Sequence, residues 1–399
     1  MEGPREGTVR ADRHWLDMAA RAALRGAGLV EPNPMVGAAL VRDGVLLGIG
    51  HHRRFGAPHA EAEALADCRG RGLDPAGATM YVTLEPCAHT GRNPPCTRAL
   101  IGARVRRVVC AARDPNPVAA GGSAELERAG IPVRFSAASR LALDAGAAFV
   151  KRIETGRPWV LVKWAQSIDG RVATRTGESR WISGPAARAW VHRRRARVDA
   201  VLTGLGTVFR DDPELTARGV ARVRRAARRV VLDPLAQTPP GSKLVRSAAS
   251  GPPLVLYAAD RAFEESAVAG RAGALRALGA EVVPMATARE QPAQARFATE
   301  PERWRLDLGA VLDHLARFSG VSTVLVEAGP ALVGSLLDAD LADELAVFVA
   351  PMMMADAEAV PPAHGRVVDR LAGARRYALR RVRPLGGDVL LQYQRAAAT

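Results

Sequence analysis

The stretch between residues 58 and 96 is the feature that most constrains the fold of this 399-residue chain. A histidine, His59, is followed two residues later by Glu61, and two cysteines, Cys87 and Cys96, come after them. One imidazole and two thiolates are ligands that zinc prefers, and three protein ligands leave one tetrahedral position open. Because an open position is typical of a catalytic site, the pattern predicts a fold that brings His59, Cys87 and Cys96 around one zinc ion.

The order of these residues is more specific than any one of them. A His-x-Glu pair is common, and a single cysteine is most often a small buried core residue. With Pro86 before Cys87, the order resembles the zinc-dependent nucleobase deaminases, in which the glutamate moves protons and is not a ligand. The resemblance implies that zinc activates water and that Glu61 passes a proton to the ring nitrogen and then to the leaving ammonia.

The spacing of the two cysteines indicates which family of zinc-dependent deaminases the chain resembles. Deaminases of this kind commonly have two residues between their cysteines, whereas eight lie between Cys87 and Cys96 here. This insertion, with Arg92 and two prolines inside it, resembles the bifunctional deaminase-reductases of riboflavin biosynthesis. The resemblance extends from about residue 12 to 394 and is weakest over 222–307 and after 351.

The first half alternates helix and strand patterns, which predicts the cytidine-deaminase-like α/β/α zinc fold of that family. Asp43-Gly44 is a strong two-residue hairpin signal between two apolar runs. A turn or a helix is expected to begin at Cys87, where a helix dipole would stabilise a thiolate. Helices are predicted over 12–28, 60–68 and about 123–129, and strands over 36–42, 45–50, 78–84, 105–111 and 131–135.

Four further residues of this half are candidates for substrate binding. Asn33 lies between two prolines, which is consistent with a plain turn, but the matching asparagine of the family contacts substrate. His52 and His89 match family positions in the substrate pocket, and a structural role for each is an equal alternative. Arg92 is suited to the substrate phosphate because arginine binds phosphate oxygens in a fork.

The second half begins with a new strand-and-helix series, so we predict domains over 1–150 and 151–399. It resembles the reductase half of the same family, which implies a dihydrofolate-reductase-like α/β fold and NADPH as cofactor. The matching segments are 160–171, 177–183, 199–208, 211–218 and 326–330. Gly204 and Gly206 lack the rest of a dinucleotide fingerprint, so a Rossmann domain is not supported.

The resemblance also implies site residues in this half. Lys163 and Glu327 are expected to polarise or protonate the sugar during hydride transfer, while the cofactor supplies the hydride chemistry. A helix start near Gly329 would suit the cofactor pyrophosphate, although a simple β–α turn explains the same residues. The expected substrate contacts are Ser179, Arg195, Leu215, Arg218 and Glu327, with Arg195 and Arg218 on the ribose phosphate. The expected cofactor contacts are Ala165, Trp181, Thr207, Asp211, Gly329, Pro330, Ala331, Leu332, Val333, Gly334 and Ser335.

Two departures from the family leave an alternative open. Pro234 replaces a serine that usually touches the cofactor, and Met352 to Met354 replace part of a glycine-bearing loop. The three methionines are consistent with core packing or with a reshaped loop that weakens ligand binding. The alternative is therefore a deaminase whose second half is an inactive, reductase-like dimerisation domain.

The net charge of +15 raises a second alternative, a base-modifying enzyme that binds nucleic acid. All but three of the 56 basic residues are arginine, however, and the arginine runs 193–197 and 222–229 lack interleaved aromatic residues. We therefore expect a phosphorylated pyrimidine as substrate and no nucleic-acid partner.

Location and assembly follow from weaker signals. The chain has no apolar run long enough to span a bilayer, and its N-terminus lacks the apolar core of a signal peptide. Cys68 and Cys110 have no evident partner, as in a reducing compartment. We expect a cytoplasmic protein without a membrane partner, and by analogy a homodimer formed through the second half.

Overall fold

The structure is a computed structural model that describes residues 7–288, 305–365, 368 and 370–396. It contains two compact units, Met1–Arg157 and Pro158–Thr399. The helix Arg140–Thr155 runs through residue 150, where we expected the boundary. The chain therefore passes from one unit to the other after this helix has ended.

The first unit is built on a five-stranded sheet with the strand order β2-β1-β3-β4-β5. Strand β1 pairs antiparallel with β2 and β3, and β3, β4 and β5 run parallel. These strands are β1 (Gly37–Arg42), β2 (Val45–His51), β3 (Thr79–Val82), β4 (Arg107–Cys110) and β5 (Val133–Phe135). The helices are α1 (Val9–Ala23), α2 (Ala60–Gly70), α3 (Cys96–Gly102), α4 (Gly122–Arg128) and α5 (Arg140–Thr155). Asp43 and Gly44 both have positive φ, which confirms the predicted hairpin.

Helices pack on both faces of this sheet. One apolar cluster joins the sheet to α2, α3 and α4, and another joins it to α1 and α5. Glycines on the hairpin allow α2 to approach the sheet closely: a Cβ on Gly50 would lie 2.3 Å from the carbonyl oxygen of Ala60, at the start of α2. The predicted α/β/α sandwich is confirmed, and the sheet itself positions the start of α2.

The second unit is built on a nine-stranded sheet with the order β10-β9-β8-β7-β11-β6-β12-β14-β13. The strands from β10 to β12 in this order run parallel, and β14 pairs antiparallel with both β12 and β13. The strands are β6 (Trp159–Gln166), β7 (Ala200–Gly204), β8 (Arg228–Leu232), β9 (Leu254–Ala259), β10 (Glu281–Met285), β11 (Thr323–Glu327), β12 (Glu344–Val349), β13 (Tyr377–Leu385) and β14 (Asp388–Arg395). The helices are α6 (Pro185–Arg195), α7 (Leu205–Asp211), α8 (Lys243–Arg246), α9 (Ser266–Ala277), α10 (Leu308–Ser319) and α11 (Pro330–Asp338).

The parallel strands at the centre of this sheet are covered on both faces and are therefore almost continuously apolar. Two charged residues lie at or near the carboxyl ends of neighbouring strands. Lys163 lies opposite Glu327 in the register of β6 and β11. Because parallel strands present their carboxyl ends at one edge, this edge is where a ligand site is expected. Among the described residues, no helix combines the length and the apolar character needed to cross a membrane.

Candidate active sites

The three predicted metal ligands converge. His59 is the residue before α2, Cys96 is the first residue of α3, and Cys87 lies in the loop after β3. Their ligand atoms all lie within 4.8 Å of one another. Nδ1 of His59 lies 3.3 Å from the Sγ of Cys96 and 3.5 Å from the Sγ of Cys87. A turn or a helix was expected at Cys87; the helix does not form there, since α3 begins at Cys96, and the loop alone brings Cys87 to the site.

The electrostatics of this group suit a cation. Hydrogen bonding from the Cys96 thiol lowers the pKa of Cys87 to about 4, so Cys87 is a thiolate at neutral pH. The same hydrogen bond raises the pKa of Cys96, and the hydrogen bond to Cys87 raises the pKa of His59. Since one nitrogen and two sulfurs are a typical zinc donor set, these residues fit a zinc ion.

Glu61 lies beside the ligands and is 3% exposed. Burial, followed by the charge of Cys87, raises its pKa to about 6. A carboxyl group with a pKa near neutrality can both accept and give up a proton at working pH. Glu61 therefore has the position and the ionisation that a proton-transferring residue needs.

Asn33 and His52, which the sequence left as either structural or functional, meet at this site. The side-chain amide of Asn33 lies 3.3 Å from Nε2 of His52, and Nδ1 of His52 lies 3.1 Å from the carbonyl oxygen of Pro58. When Nδ1 of His52 carries the ring proton, it donates to the carbonyl of Pro58. Nε2 of His52 then accepts a hydrogen bond from the Asn33 amide. The ring of His52 also packs edge-on against His59 at 5.4 Å, so the pair of Asn33 and His52 lies against the expected zinc ligand.

The insertion between the cysteines is held by a second loop. The guanidinium of Arg92 lies 4.6 Å from the ring centre of Phe55, and the Asn93 amide donates to the carbonyl of Ala57 at 2.9 Å. Arg92 is otherwise exposed. Nδ1 of His89 is buried and has no hydrogen-bond partner among the described residues. A polar atom in that state is available to a ligand.

In the second unit Glu327 is held by Arg195. Nε and Nη2 of Arg195 donate to the two carboxylate oxygens at 2.6 and 3.0 Å, and Nη1 donates to the carbonyl of Thr216 at 3.0 Å. The hydroxyl of Thr203 donates to the backbone carbonyl of Glu327 at 2.6 Å. Thr203 and Thr216 were missed as supporting residues, because nothing in the local sequence links them to Glu327.

Lys163 completes this group. Burial lowers the pKa of Lys163, and the charge of Glu327 opposes that effect. Burial also disfavours the ionised form of Glu327, but the charges of Arg195 and Lys163 outweigh it and lower the pKa of Glu327. Asp211 is near enough to act on the pKa of Lys163. The expected acid–base pair is thus brought together at the carboxyl edge of the sheet.

The other expected substrate contacts have the following surroundings. Arg218 forms an exposed ion pair with Glu214 at 2.6 Å. Leu215 is buried and has a positive φ of 54°, which shapes the turn before Arg218. Ser179 is half-buried.

The expected cofactor contacts divide into exposed and buried residues. Trp181 is 68% exposed, with Arg188 4.5 Å from its ring centre. Helix α11 starts directly after β11, and Gly329 before it makes no side-chain cap, so the first-turn amides suit an anion such as a cofactor phosphate. Val333 lies in the apolar core, and a Cβ on Gly334 would meet the carbonyl oxygen of His364 at 1.3 Å. These last two positions therefore pack the helix.

The remaining members of the expected set have the following places. Ala165 is half-buried on β6, and Thr207 and Asp211 are half-buried on α7. Pro330 and Leu332 are half-buried and Ala331 is exposed in the first turn of α11, and the hydroxyl of Ser335 donates to the carbonyl of Ala331 at 2.9 Å.

The methionine loop is tied to the end of β6. The carboxylate of Asp169 accepts hydrogen bonds from the backbone N–H groups of Met354 and Ala355 at 3.1 and 2.9 Å. Met353 is 65% exposed. Core packing of the methionines is therefore wrong, and they form the surface of a loop next to the site. Pro234 is half-buried, and its carbonyl accepts a hydrogen bond from Ala259 at 2.9 Å.

Comparisons with known protein families divide the chain in the same way. Residues 9–112 match the cytidine and deoxycytidylate deaminase zinc-binding region. Residues 158–391, more than half of the chain, match the RibD C-terminal domain. The chain belongs to the RibD family of riboflavin biosynthesis proteins. The fold expected of each half is thereby confirmed.

Relatives in the RibD family match over nearly the full length. The riboflavin biosynthesis protein RibD of Escherichia coli is 37% identical, over 95% of this chain and 98% of its own. The RibD structure from Acinetobacter baumannii is 34% identical and superposes with a TM-score of 0.76, over 98% of this chain and 100% of its own. A Thermotoga maritima structure, named as a diaminohydroxyphosphoribosylaminopyrimidine deaminase/5-amino-6-(5-phosphoribosylamino)uracil reductase, is 28% identical, with a TM-score of 0.76 over 96% of this chain and 99% of its own.

These matches decide between the two interpretations of the second half. The chain is a bifunctional enzyme of riboflavin biosynthesis, with a zinc-dependent deaminase and an NADPH-dependent reductase. The full-length agreement with RibD proteins gives no support to a deaminase joined to an inactive, reductase-like domain.

Proposed function

We propose that the first unit deaminates 2,5-diamino-6-(5-phosphoribosylamino)pyrimidin-4(3H)-one. We propose that the second unit then reduces the ribosyl group of 5-amino-6-(5-phosphoribosylamino)uracil to ribityl. The observation that carries the first assignment is the convergence of His59, Cys87 and Cys96 within 4.8 Å, with Glu61 buried beside them. The Thermotoga maritima relative is named for a deaminase and a reductase acting on compounds of this class.

The residues of the first unit have separate tasks in this proposal. His59, Cys87 and Cys96 would hold the zinc, which when bound supplies a Lewis acid that lowers the pKa of water toward neutrality. Glu61 takes one proton from the attacking water and delivers it to the pyrimidine ring nitrogen, then takes the second proton of that water and delivers it to the departing amine. Its raised pKa suits both transfers. Asn33 contacts and orients the pyrimidine ring, and His52, whose Nε2 lies 3.3 Å from the Asn33 amide, holds Asn33 in place. His89 and Arg92, on the inserted loop, contact the end of the substrate that carries the phosphate.

The second unit positions the sugar and controls one proton. NADPH, when bound, supplies the hydride. Lys163 and Glu327 lie side by side on neighbouring strands, where they polarise the ribose carbonyl and supply the proton that accompanies reduction. Arg195 holds Glu327 ionised and oriented, and Arg218 and Ser179 face the ribose phosphate.

The cofactor has its own set of contacts in this proposal. NADPH contacts Ala165, Trp181, Thr207, Asp211 and the first turn of α11, and α7 and α11 each follow the carboxyl end of a strand of the sheet. Val333 and Gly334 take part through the packing of α11. The methionine loop, tied to Asp169, borders this region.

Assembly and location are further parts of the proposal. Strand β13 is the last strand of the nine-stranded sheet, and Leu379 and Val382 on it are more than half exposed. Pairing of this strand with a second copy would give a homodimer. All four cysteines are free, which suits a reducing cytoplasm.

One assay tests the two activities independently. The purified chain is given the diamino-pyrimidine phosphate, and ammonia release and loss of nicotinamide absorbance are measured separately. We expect ammonia without added NADPH, and NADPH oxidation only after the deaminated product has formed. Ammonia release without any NADPH oxidation would remove the reductase assignment and leave that of the deaminase intact.

A further inference from the structure

Two arginine runs that are distant in the sequence meet at one end of the second unit. The first run, 193–197, closes α6, and the second, 222–229, leads into β8. The backbone N–H groups of Arg224 and Arg225 donate to the carbonyl of Ala196 at 3.0 and 3.2 Å. These bonds dock the second run onto the end of the helix and concentrate positive charge there.

Arg197 lies within this group of cations. Burial lowers the pKa of Arg197, and the charges of Arg224, Arg194 and Arg193 lower it further. Within the part of the chain that the structure describes, the side chains of Arg193, Arg197 and Arg228 form no hydrogen bond or ion pair. Guanidinium groups that repel one another and lack protein acceptors are available to an anion.

A cavity of about 230 Å³ opens beside the second run, with Arg225, Arg228 and Ser319 in its wall. Arg197 lies outside this wall and follows Ala196, whose carbonyl accepts the hydrogen bond from Arg225. The cavity's one acidic wall residue among those described, Asp199, is already engaged. One oxygen of Asp199 accepts hydrogen bonds from the backbone N–H groups of Ser322 and Thr323 at 2.9 Å, and the other pairs with Arg225. The Asp199 carboxylate therefore offsets little of the positive charge on the arginines other than Arg225.

This cavity is separate from the reductase site. Strands β7, β8, β9 and β11 begin at this edge of the sheet, whereas Glu327 is the last residue of β11. Four steps along a strand, from Thr323 to Glu327, cover roughly 13 Å. A ligand here would therefore not occupy the position that we assign to the sugar.

We propose that this amino-terminal edge of the sheet binds a small molecule that carries a di- or triphosphate group. Arg228 lies in the wall of a small cavity, and the cations around Arg197 lie next to the segment that carries it. Arginine binds phosphate oxygens in a fork, so this charge suits the many oxygens of such a group. A nucleic acid fits less well, because it would need aromatic platforms for its bases. Trp190 on α6 is only 6% exposed, and Arg194 covers its ring at 4.8 Å.

Calorimetric titration of the full chain with inorganic tripolyphosphate tests the proposal. The double variant Arg197→Ala/Arg228→Ala is expected to lose one tripolyphosphate site per chain, its affinity falling at least about tenfold. Arg261→Ala is the matched control, since Arg261 is exposed and follows the opposite end of β9. The KM for NADPH and the unfolding midpoint should stay unchanged in both variants. The double variant Arg197→Lys/Arg228→Lys should retain part of the binding.

The result can also contradict the proposal or identify the source of the phosphate. Equal affinity in the wild type and the alanine double variant would overturn it, as would an equal loss in Arg261→Ala. A nucleoside triphosphate that binds this site as tightly as tripolyphosphate supports recognition of the phosphates alone, and tighter binding supports a nucleotide. A single-stranded oligonucleotide is the last probe. If it binds more tightly than tripolyphosphate and the nucleoside triphosphate, and the alanine double variant loses this binding, the proposal of a small-molecule ligand is overturned.

Discussion

Arg195 holds Glu327 through two hydrogen bonds, of 2.6 and 3.0 Å, in which Nε and Nη2 reach separate carboxylate oxygens. The two side chains are 11% and 12% exposed. A pair so shielded from water has its geometry set by the protein. We expected Arg195 to bind the ribose phosphate, and the structure gives its guanidinium a positioning contact within the protein.

Arg195→Lys should slow the reductase selectively. Lysine keeps the charge but cannot form the fork, so Glu327 loses an oriented hydrogen bond. We expect NADPH oxidation to fall roughly 10- to 100-fold, the magnitude of a lost hydrogen bond to a charged group, with ammonia release unchanged. Arg194→Lys, one position away and stacked on Trp190, is the control. Wild-type NADPH oxidation in Arg195→Lys would refute the positioning role.

The same ion pair predicts an acid-sensitive contribution to stability. The pKa of Glu327 is lowered in the folded state. At pH values between the pKa of Glu327 in the folded chain and its pKa in the unfolded chain, the unfolded chain therefore binds more protons. The contribution is thus present above the unfolded pKa, about 4.3, and is lost as pH falls through the folded pKa. Unfolding midpoints of the wild type and Glu327→Gln should converge as pH falls below about 4.3. If the difference between the two unfolding midpoints stays constant as pH falls through that range, the prediction is contradicted.

Gly50→Ala should disable the deaminase through its scaffold. The new Cβ would lie 2.3 Å from the carbonyl oxygen of Ala60, which forces the start of α2, with His59 and Glu61, off the sheet. Zinc content by atomic emission and ammonia release should both fall, while NADPH oxidation with the deaminated substrate persists. Gly70→Ala, at the end of the same helix with no atom within 4 Å of its added Cβ, should keep both. Full zinc occupancy in Gly50→Ala would show that the close contact does not matter.

Removal of the metal should expose a reactive thiolate. The pKa of Cys87 is about 4 when the hydrogen bond from Cys96 is formed. Burial raises the pKa values of Cys68 and Cys110. After chelation, iodoacetamide at about pH 6 should label Cys87 first, because the thiolate is the nucleophile. Added zinc should protect it. Preferential labelling of Cys68 or Cys110, detected by peptide mass spectrometry, would argue against this ionisation.

The sequence predicted local and motif-based features well. Asp43-Gly44 carries the chemistry of a hairpin turn, and His59, Cys87 and Cys96 carry ligand chemistry that does not depend on the path between them. The contact of Arg195 with Glu327 was not predictable, because it joins residues 132 positions apart, and strand order decides such contacts. The sequence left a turn and a helix open at Cys87, since a metal ligand can be presented by either, and the structure has a loop there.

The most direct test of the proposed deamination is the Glu61→Gln variant, assayed with the diamino-pyrimidine phosphate and, separately, with the deaminated intermediate and NADPH. Glutamine preserves the shape of the side chain but cannot carry the proton. We predict full zinc occupancy, normal NADPH oxidation and almost no ammonia release. Ammonia release at the wild-type rate from this variant would contradict the central claim that Glu61, beside His59, Cys87 and Cys96, moves the protons of the deamination.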